Sequence, residues 1–254
     1  MGTIRSNREL WGETYDWSQG GEEWSVPWGG VEAQWHRTLF PRLRTWLPAA
    51  TLLEIAPGYG RWTQFLKDHC RRLIAVDVAE RCVTACGRRF SDCPQVEVYA
   101  NDGRSLDVVA DRSVDFAFSF DSLVHADEDV IEGYLKELSR KLAPGGVGFI
   151  HHSNLRRYTA ELARGEMGNP GWRGESVDAA RFEAQCQAAG LACIAQEQIV
   201  WGDDEVHLCD CLSTFVLRSS PRAGPNAVLE NREFMAEARQ SRSLAPLYFR
   251  RERP

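Results

Sequence analysis

At 254 residues and 43% hydrophobic content, the chain is long enough to bury one large α/β core, with or without a cap. Its formal net charge of −6 excludes a broad phosphate-backbone footprint, which needs clustered basic surface, so no nucleic-acid partner is expected. The nearest basic run, Arg250, Arg251 and Arg253, reads as a solvated tail.

No stretch approaches the length of a membrane span, and the opening MGTIRSNRELWGET lacks the apolar run of a signal peptide. Met1-Gly2 with Ser6 fits a short myristoylation pattern that arises often by chance. Eight cysteines occur without a Cys-x-x-Cys pair and mostly inside apolar segments. They predict reduced, buried thiols and a cytoplasmic protein. The only lysines are Lys67, Lys136 and Lys141, a coding signature of a GC-rich bacterial genome.

Residues 1–50 read as a Trp-rich N-terminal cap. Trp11, Trp17, Trp24, Trp28, Trp35 and Trp46 are interleaved with Gly20-Gly21 and Gly29-Gly30. Such a segment packs its indoles on the domain and serves as a lid over a ligand, with Trp17, Trp24 and Trp28 as its aromatics. Val31, Trp35, Leu39, Leu43 and Leu47 recur at helical spacing despite Pro41, predicting one helix or two short ones. From residue 51 the pattern becomes that of strands at 51–56, 72–78, 96–100, 114–120, 146–152, 191–201 and 210–218, with helical patterns between several of them. The clearest helix is 129–142, capped by Asp127 or Asp129 and stopped by Pro144-Gly145-Gly146. Strand–helix alternation predicts an α/β domain over residues 51–218 with a Rossmann-like, seven-stranded, mostly parallel sheet. The last two strands are joined by about eight residues, too few for a crossover, so the final strand must run antiparallel. Residues 219–254 read as a turn-rich link and a helix over 226–240.

The segment Glu54-Ile-Ala-Pro-Gly58-Tyr-Gly60 leaves the first strand and enters a helix. Gly58 and Gly60 let the backbone approach a ligand closely. Asp77 ends the second strand, 17 residues beyond Gly60, where a carboxylate can take both ribose hydroxyls; the alternative is a helix cap. Thr63 stands where a dinucleotide fingerprint has its third glycine, and Glu54 would repel a pyrophosphate. A carboxylate there suits a ligand carrying an amino group and a sulfonium.

These stretches, with Asn101-Asp102, resemble the first three motifs of class I S-adenosylmethionine-dependent methyltransferases, over roughly residues 50–218. The resemblance implies that Glu54 and the Gly58–Gly60 backbone face the methionine end of the cofactor. Asp77 would hold the ribose hydroxyls and Asp102 the adenine amino group, although Asp102 also reads as a turn residue before Gly103. Ala56-Pro57 departs from the family, which often has a glycine there. Trp35-His36-Arg37-Thr38-Leu39-Phe40-Pro41, His151-His152-Ser153-Asn154, Asn169-Pro170-Gly171-Trp172-Arg173 and Asp210-Cys211-Leu212-Ser213 resemble bacterial sugar O-methyltransferases of the kind acting in mycobacterial methylmannose polysaccharide synthesis. The implied acceptor is a small-molecule hydroxyl on a mannoside-like carbohydrate, and a homodimer is one possible assembly.

Ligands of open α/β sheets bind at the carboxyl ends of the strands. A sugar hydroxyl is a poor nucleophile, so a proton acceptor or a metal is expected there. His152 is the expected base, with Asp121 assisting; His151 is expected to face the packed side of the sheet, since successive strand residues alternate. A divalent cation, Mg²⁺ or Mn²⁺, would draw on Asp121, His125, His152 and Asp210. The rivals are a nicotinamide-dependent oxidoreductase, a non-catalytic cofactor-binding partner subunit and a nucleic-acid methyltransferase. For the last, Phe120-Asp121-Ser122-Leu123 does not match the Asn-Pro-Pro-Tyr-like turn of base-amine enzymes, and the chain has no Pro-Cys pair.

Overall fold

A computed structural model describes residues 2–169 and 171–249. The tail arginines Arg250, Arg251 and Arg253, and Pro170 of the Asn169–Arg173 stretch, lie outside the described residues. The strands are β1 (Ala49–Ile55), β2 (Cys70–Asp77), β3 (Val96–Ala100), β4 (Val114–Ser119), β5 (Leu142–Ser153), β6 (Leu191–Ile199), β7 (Asp210–Leu217) and β8 (Ala227–Asn231). They form one sheet in the order β3-β2-β1-β4-β5-β7-β6-β8. Every neighbouring pair is parallel except the two that involve β7. The antiparallel strand therefore sits where the short 200–209 connection requires it. The chain runs outward from β1 to β3, then restarts at β4 on the other side of β1. That reversal opens a crevice at the carboxyl ends of β1 and β4.

The central strands are apolar on both faces, as a covered parallel sheet demands. Leu53 and Ile55 pack with Ile150, Phe182 and Leu135 on one face. On the other face Leu52 packs with Phe118, Phe149, Trp28, Trp35, Leu39 and Leu43. The second layer corrects the extent of the cap. Residues 31–46 form one continuous helical run, and Trp28, Trp35, Leu39 and Leu43 are core residues. Pro41 is tolerated because a wider, π-helical turn at Trp35–Leu39 precedes it, with the Phe40 N–H donating to Trp35 O.

The helix Glu128–Lys141 buries Val130, Ile131, Tyr134, Leu135 and Leu138, the stripe its spacing predicts. Its N-terminus is held from outside. The Glu128 N–H donates to Ser176 Oγ at 2.9 Å, and that hydroxyl lies 3.0 Å from Asp127 Oδ1. The expected helix over 226–240 is instead β8 followed by a helix at Phe234–Tyr248. Ala227–Asn231 pair with Ala195–Ile199 of β6, an edge open to one more strand, and the Asn226 amide donates to Gln196 at 2.9 Å. Among the described residues no helix is long and apolar enough to cross a membrane. All eight cysteines are free thiols.

Candidate active site

The cofactor end of the site begins where β1 stops. Ala56 (φ +58°), Gly58 (φ +57°) and Gly60 (φ +86°) all take left-handed backbone conformations, which glycine adopts easily and alanine does not. Ala56 therefore holds, at some strain, the conformation that explains the family's usual glycine. The two glycines do different work. A Cβ on Gly58 would stand 2.8 Å from the Trp17 ring, at the cavity wall, whereas one on Gly60 would collide with Phe90 at 2.4 Å. Gly60 is thus a helix-packing glycine behind the wall.

Asp77 lines the cavity at the end of β2. Its Oδ2 accepts the Gly58 N–H at 3.1 Å and its Oδ1 the Ala79 N–H at 2.9 Å. The residue is both the tie between the two loops and a carboxylate facing the cavity. Burial pushes its carboxyl up to about 6 against the pull of those N–H groups. Glu54 lies one layer beneath the loop, 1% exposed. Its Oε2 accepts the Thr63 hydroxyl at 2.6 Å and its Oε1 has no hydrogen-bond partner among the described residues. Desolvation raises this carboxyl to about 8. Thr63, which replaces the third glycine of a dinucleotide loop, is present to hold Glu54. Asp102 is corrected to the turn alternative. It is exposed, it is off the cavity wall, and its Oδ1 accepts the Arg104 and Ser105 N–H groups at 2.8 and 2.7 Å. The wall at that point is Gly103, with Val78, Cys82, Val130 and Tyr134 beside it.

The opposite end of the cavity is built from the exit of β4. Asp121 has φ +57°, a conformation that a non-glycine residue keeps only under external constraint. Its Oδ2 pairs with Arg61 Nη2 at 2.7 Å, both side chains at least nine-tenths buried, while Oδ1 has no protein partner among the described residues. Ser122 Oγ donates to Ala56 O at 2.8 Å and so fastens the β1 and β4 exits together. His125 Nδ1 lies 3.3 Å from Trp172 O. Burial, with the Arg173 charge nearby, lowers this imidazole to about 4, so it is neutral near pH 7. Trp62, Phe120 and Trp201 supply apolar wall.

The N-terminal segment closes the top. Ile4, Asn7, Trp11, Trp17 and Trp24 line the same cavity. Trp17 stacks on Tyr59 with ring centroids 4.5 Å apart and planes 4° apart. The Asn7 amide donates to His125 O at 2.9 Å, and the Asp127 N–H to Gly2 O at 2.9 Å. Trp28, expected in the lid, lies instead against Trp201 and Phe234 in the core. The space between these elements is about 1110 Å³, open solvent at its mouth included.

Two histidine assignments are corrected. His152 faces away from the cavity and is fully buried, stacked on Phe182 at 4.2 Å. Its Nδ1 lies 2.7 Å from Ser153 O and its Nε2 2.8 Å from Ser213 Oγ. Burial lowers it to about 4, and it is no base for a cavity on the other face. His151 is on the cavity side of the sheet, beneath Asp121, with Phe120 and Trp201 against its ring. The expected cation set is corrected as well. Asp121 is engaged by Arg61 and His152 is on the far face, while Asp210 is gripped by Arg173 through bonds of 2.5 and 2.7 Å. Among the described residues no three metal-ligating side chains converge, so this donor set does not fit a divalent cation.

Sequence reasoning missed Arg61, Arg173 and Trp201 as site residues, although Arg61 follows Gly60 directly. A second signal was Gly174, where a Cβ would meet Ala126 O at 2.2 Å. That close approach docks the Arg173 loop on the β4 exit, with the Gly174 N–H donating to Val124 O at 2.9 Å.

Comparison with known proteins agrees with this geometry. Residues 52–146 match a family model described as a methyltransferase domain. The ribosomal RNA small subunit methyltransferase A of Geobacter metallireducens is 36% identical over 61 residues, 24% of this chain. The match spans 22% of the length of that curated relative. A protein of Pyrococcus horikoshii has 20% identity and a TM-score of 0.57, covering 73% of this chain and 90% of its own. The complex of a Haloferax volcanii methyltransferase activator with the putative methyltransferase matches at 17% identity and TM-score 0.58, covering 85% and 97%. DhpI, solved with SAH, has 22% identity and TM-score 0.54, covering 86% and 95%. At these identities the structural likeness is one of fold. Residues 52–146 are thus similar to a methyltransferase domain, and S-adenosylmethionine is the cofactor that suits the site. Asp77, the Gly58 approach and the apolar wall at Val78 and Tyr134 fit it.

Proposed function

We propose that the protein transfers a methyl group to a hydroxyl of a small molecule, a sugar or oligosaccharide of mannoside type, with Asp121 receiving the hydroxyl proton. The observation that carries this reading is the Asp121 carboxylate, one oxygen held by Arg61 and the other without a protein partner among the described residues, in the same cavity as Asp77 and Gly58. When bound, S-adenosylmethionine supplies a sulfonium methyl whose carbon–sulfur electron pair passes to sulfur as the acceptor oxygen bonds to carbon. The chain's own residues align the acceptor and remove its proton. Trp62, Phe120, Trp201, Trp11 and Trp24 offer flat apolar surface to the C–H faces of a pyranose. Gly58 belongs to the methionine end and Asp77 to the ribose, while Glu54, off the cavity wall, supports the loop from beneath through Thr63. His125, held neutral, is another proton-accepting group on this wall.

The test is incubation of the protein with S-adenosylmethionine and a panel of mannose, methyl mannosides and short mannooligosaccharides, with simple amines and RNA as comparison acceptors. Release of adenosylhomocysteine with a methyl ether on a mannoside supports the reading. Release with an amine or with RNA alone overturns it.

A further inference from the structure

The cavity wall at Asp121 rests on a buried belt that joins four parts of the fold. Arg173, 4% exposed and part of the wall, grips Asp210 at the start of β7 by two bonds. Asp210 Oδ2 lies 3.1 Å from His151 Nε2 on β5, with both side chains fully buried. His151 Nδ1 accepts the backbone N–H of Asp121 at 3.1 Å, and the Asp121 carboxylate meets Arg61. The proton count along this belt is fixed by its ends. An N–H donor at Nδ1 requires that nitrogen to be unprotonated, which leaves the ring proton on Nε2, 3.1 Å from the Asp210 carboxylate but out of line for a hydrogen bond to it.

We infer that His151 is a positioning residue: set beside the Asp210 carboxylate and packed between Phe120 and Trp201, it holds the Asp121 backbone in its left-handed conformation and so aims the carboxylate at the acceptor. A residue at φ +57° stays there only while its surroundings over-determine it. The groups that can do so here are the His151 ring under the Asp121 N–H and Arg61 on its side chain. Phe120 and Trp201, with ring centroids 4.7 and 5.1 Å from His151, prevent the imidazole from turning away. His151 does not line the cavity, so its effect on transfer passes through the Asp121 backbone. The same belt ties Arg173 to the site without leaving its charge free.

The inference rests on the proposed function in placing methyl transfer at Asp121, and its test separates the two. Four proteins are compared, wild type, His151→Phe, His151→Asn and Asp210→Asn, by mannoside turnover and by calorimetric binding of adenosylhomocysteine. Phe removes the acceptor at Nδ1, whereas the Asn carbonyl stands near the same place. His151→Phe is expected to lower kcat by about 10–100-fold, with adenosylhomocysteine affinity within about twofold of wild type. His151→Asn should recover at least tenfold of that loss. Asp210→Asn should lower kcat in the same sense, and it reports on the belt if His151→Phe does not fold. Nitrogen-15 NMR of labelled wild type should show His151 protonated at Nε2 alone, a readout that needs no turnover. Wild-type kcat in His151→Phe, or an Nδ1-protonated ring, overturns the inference while leaving the proposed activity standing. A wild type inactive on every mannoside, with the Nε2 tautomer present, removes the activity and leaves the positioning geometry intact.

Discussion

The Thr63 hydroxyl donates to Glu54 at 2.6 Å beneath the loop that carries Gly58. The pair is buried, and Glu54 keeps one oxygen without a hydrogen-bond partner among the described residues. Its carboxyl, ordinarily near 4.5, is raised to about 8 by desolvation, so the folded state holds a proton that the unfolded chain releases. This stability is fully present below about pH 4.5 and is lost as pH rises through about 8. The shift corresponds to an effect on the order of 5 kcal/mol. Glu54→Gln keeps an acceptor for Thr63 and removes the titration. The variant should be more stable than wild type at pH 8.5 and nearly equal at pH 4.5, by urea unfolding across that range. Asp77, raised to about 6, leaves a residual slope below pH 6 in both proteins. Parallel stability profiles above pH 6 would show that Glu54 is not protonated in the fold.

Asp77 is expected to hold the ribose with the lone pairs that Gly58 and Ala79 do not use. Asp77→Ala should weaken adenosylhomocysteine binding by about 1.5–3 kcal/mol for each lost charge-assisted bond. Calorimetry showing unchanged affinity would remove the ribose assignment.

Trp17 lies flat on Tyr59 and against Gly58, which makes it the part of the N-terminal segment nearest the cofactor loop. Trp17→Ala should leave the fold intact, weaken adenosylhomocysteine binding about tenfold, and reduce the ligand-induced change in tryptophan fluorescence. An unaltered fluorescence response would place the cover outside the binding event.

His152 is a core residue by its contacts. His152→Ala should cost about 2–4 kcal/mol through the lost stack on Phe182 and the lost bond to Ser213, with kcat close to wild type. Its imidazole, lowered to about 4, contributes stability present above pH 6.5 and lost as pH falls through 4. A large fall in kcat with unchanged stability would return His152 to the chemistry.

Much of this fold was legible because each strand is a short apolar run bounded by turn residues, and because the 200–209 connection is too short to cross over. The tail was misread. Ala227-Val228-Leu229 has no local pattern that distinguishes an edge strand from a helix, and the deciding contacts are with Ala195–Ile199, some thirty residues away. The loop and Asp77 were readable from local spacing. The acceptor end was not, since Arg61–Asp121 and Arg173–Asp210 join positions 60 and 37 residues apart. The alternation of His151 and His152 was visible, but which face opens on the cavity is set by Phe182 on one side and Phe120 with Trp201 on the other. No spacing within β5 carries that information.

The most direct test of the account is single-turnover methyl transfer to a mannoside by Asp121→Asn, measured beside its affinity for adenosylhomocysteine. Asparagine preserves the size of the side chain and removes the proton acceptor. The account predicts a fall of about 10²–10⁴-fold in the transfer rate, with cofactor affinity within a few-fold of wild type. A transfer rate within threefold of wild type would contradict it.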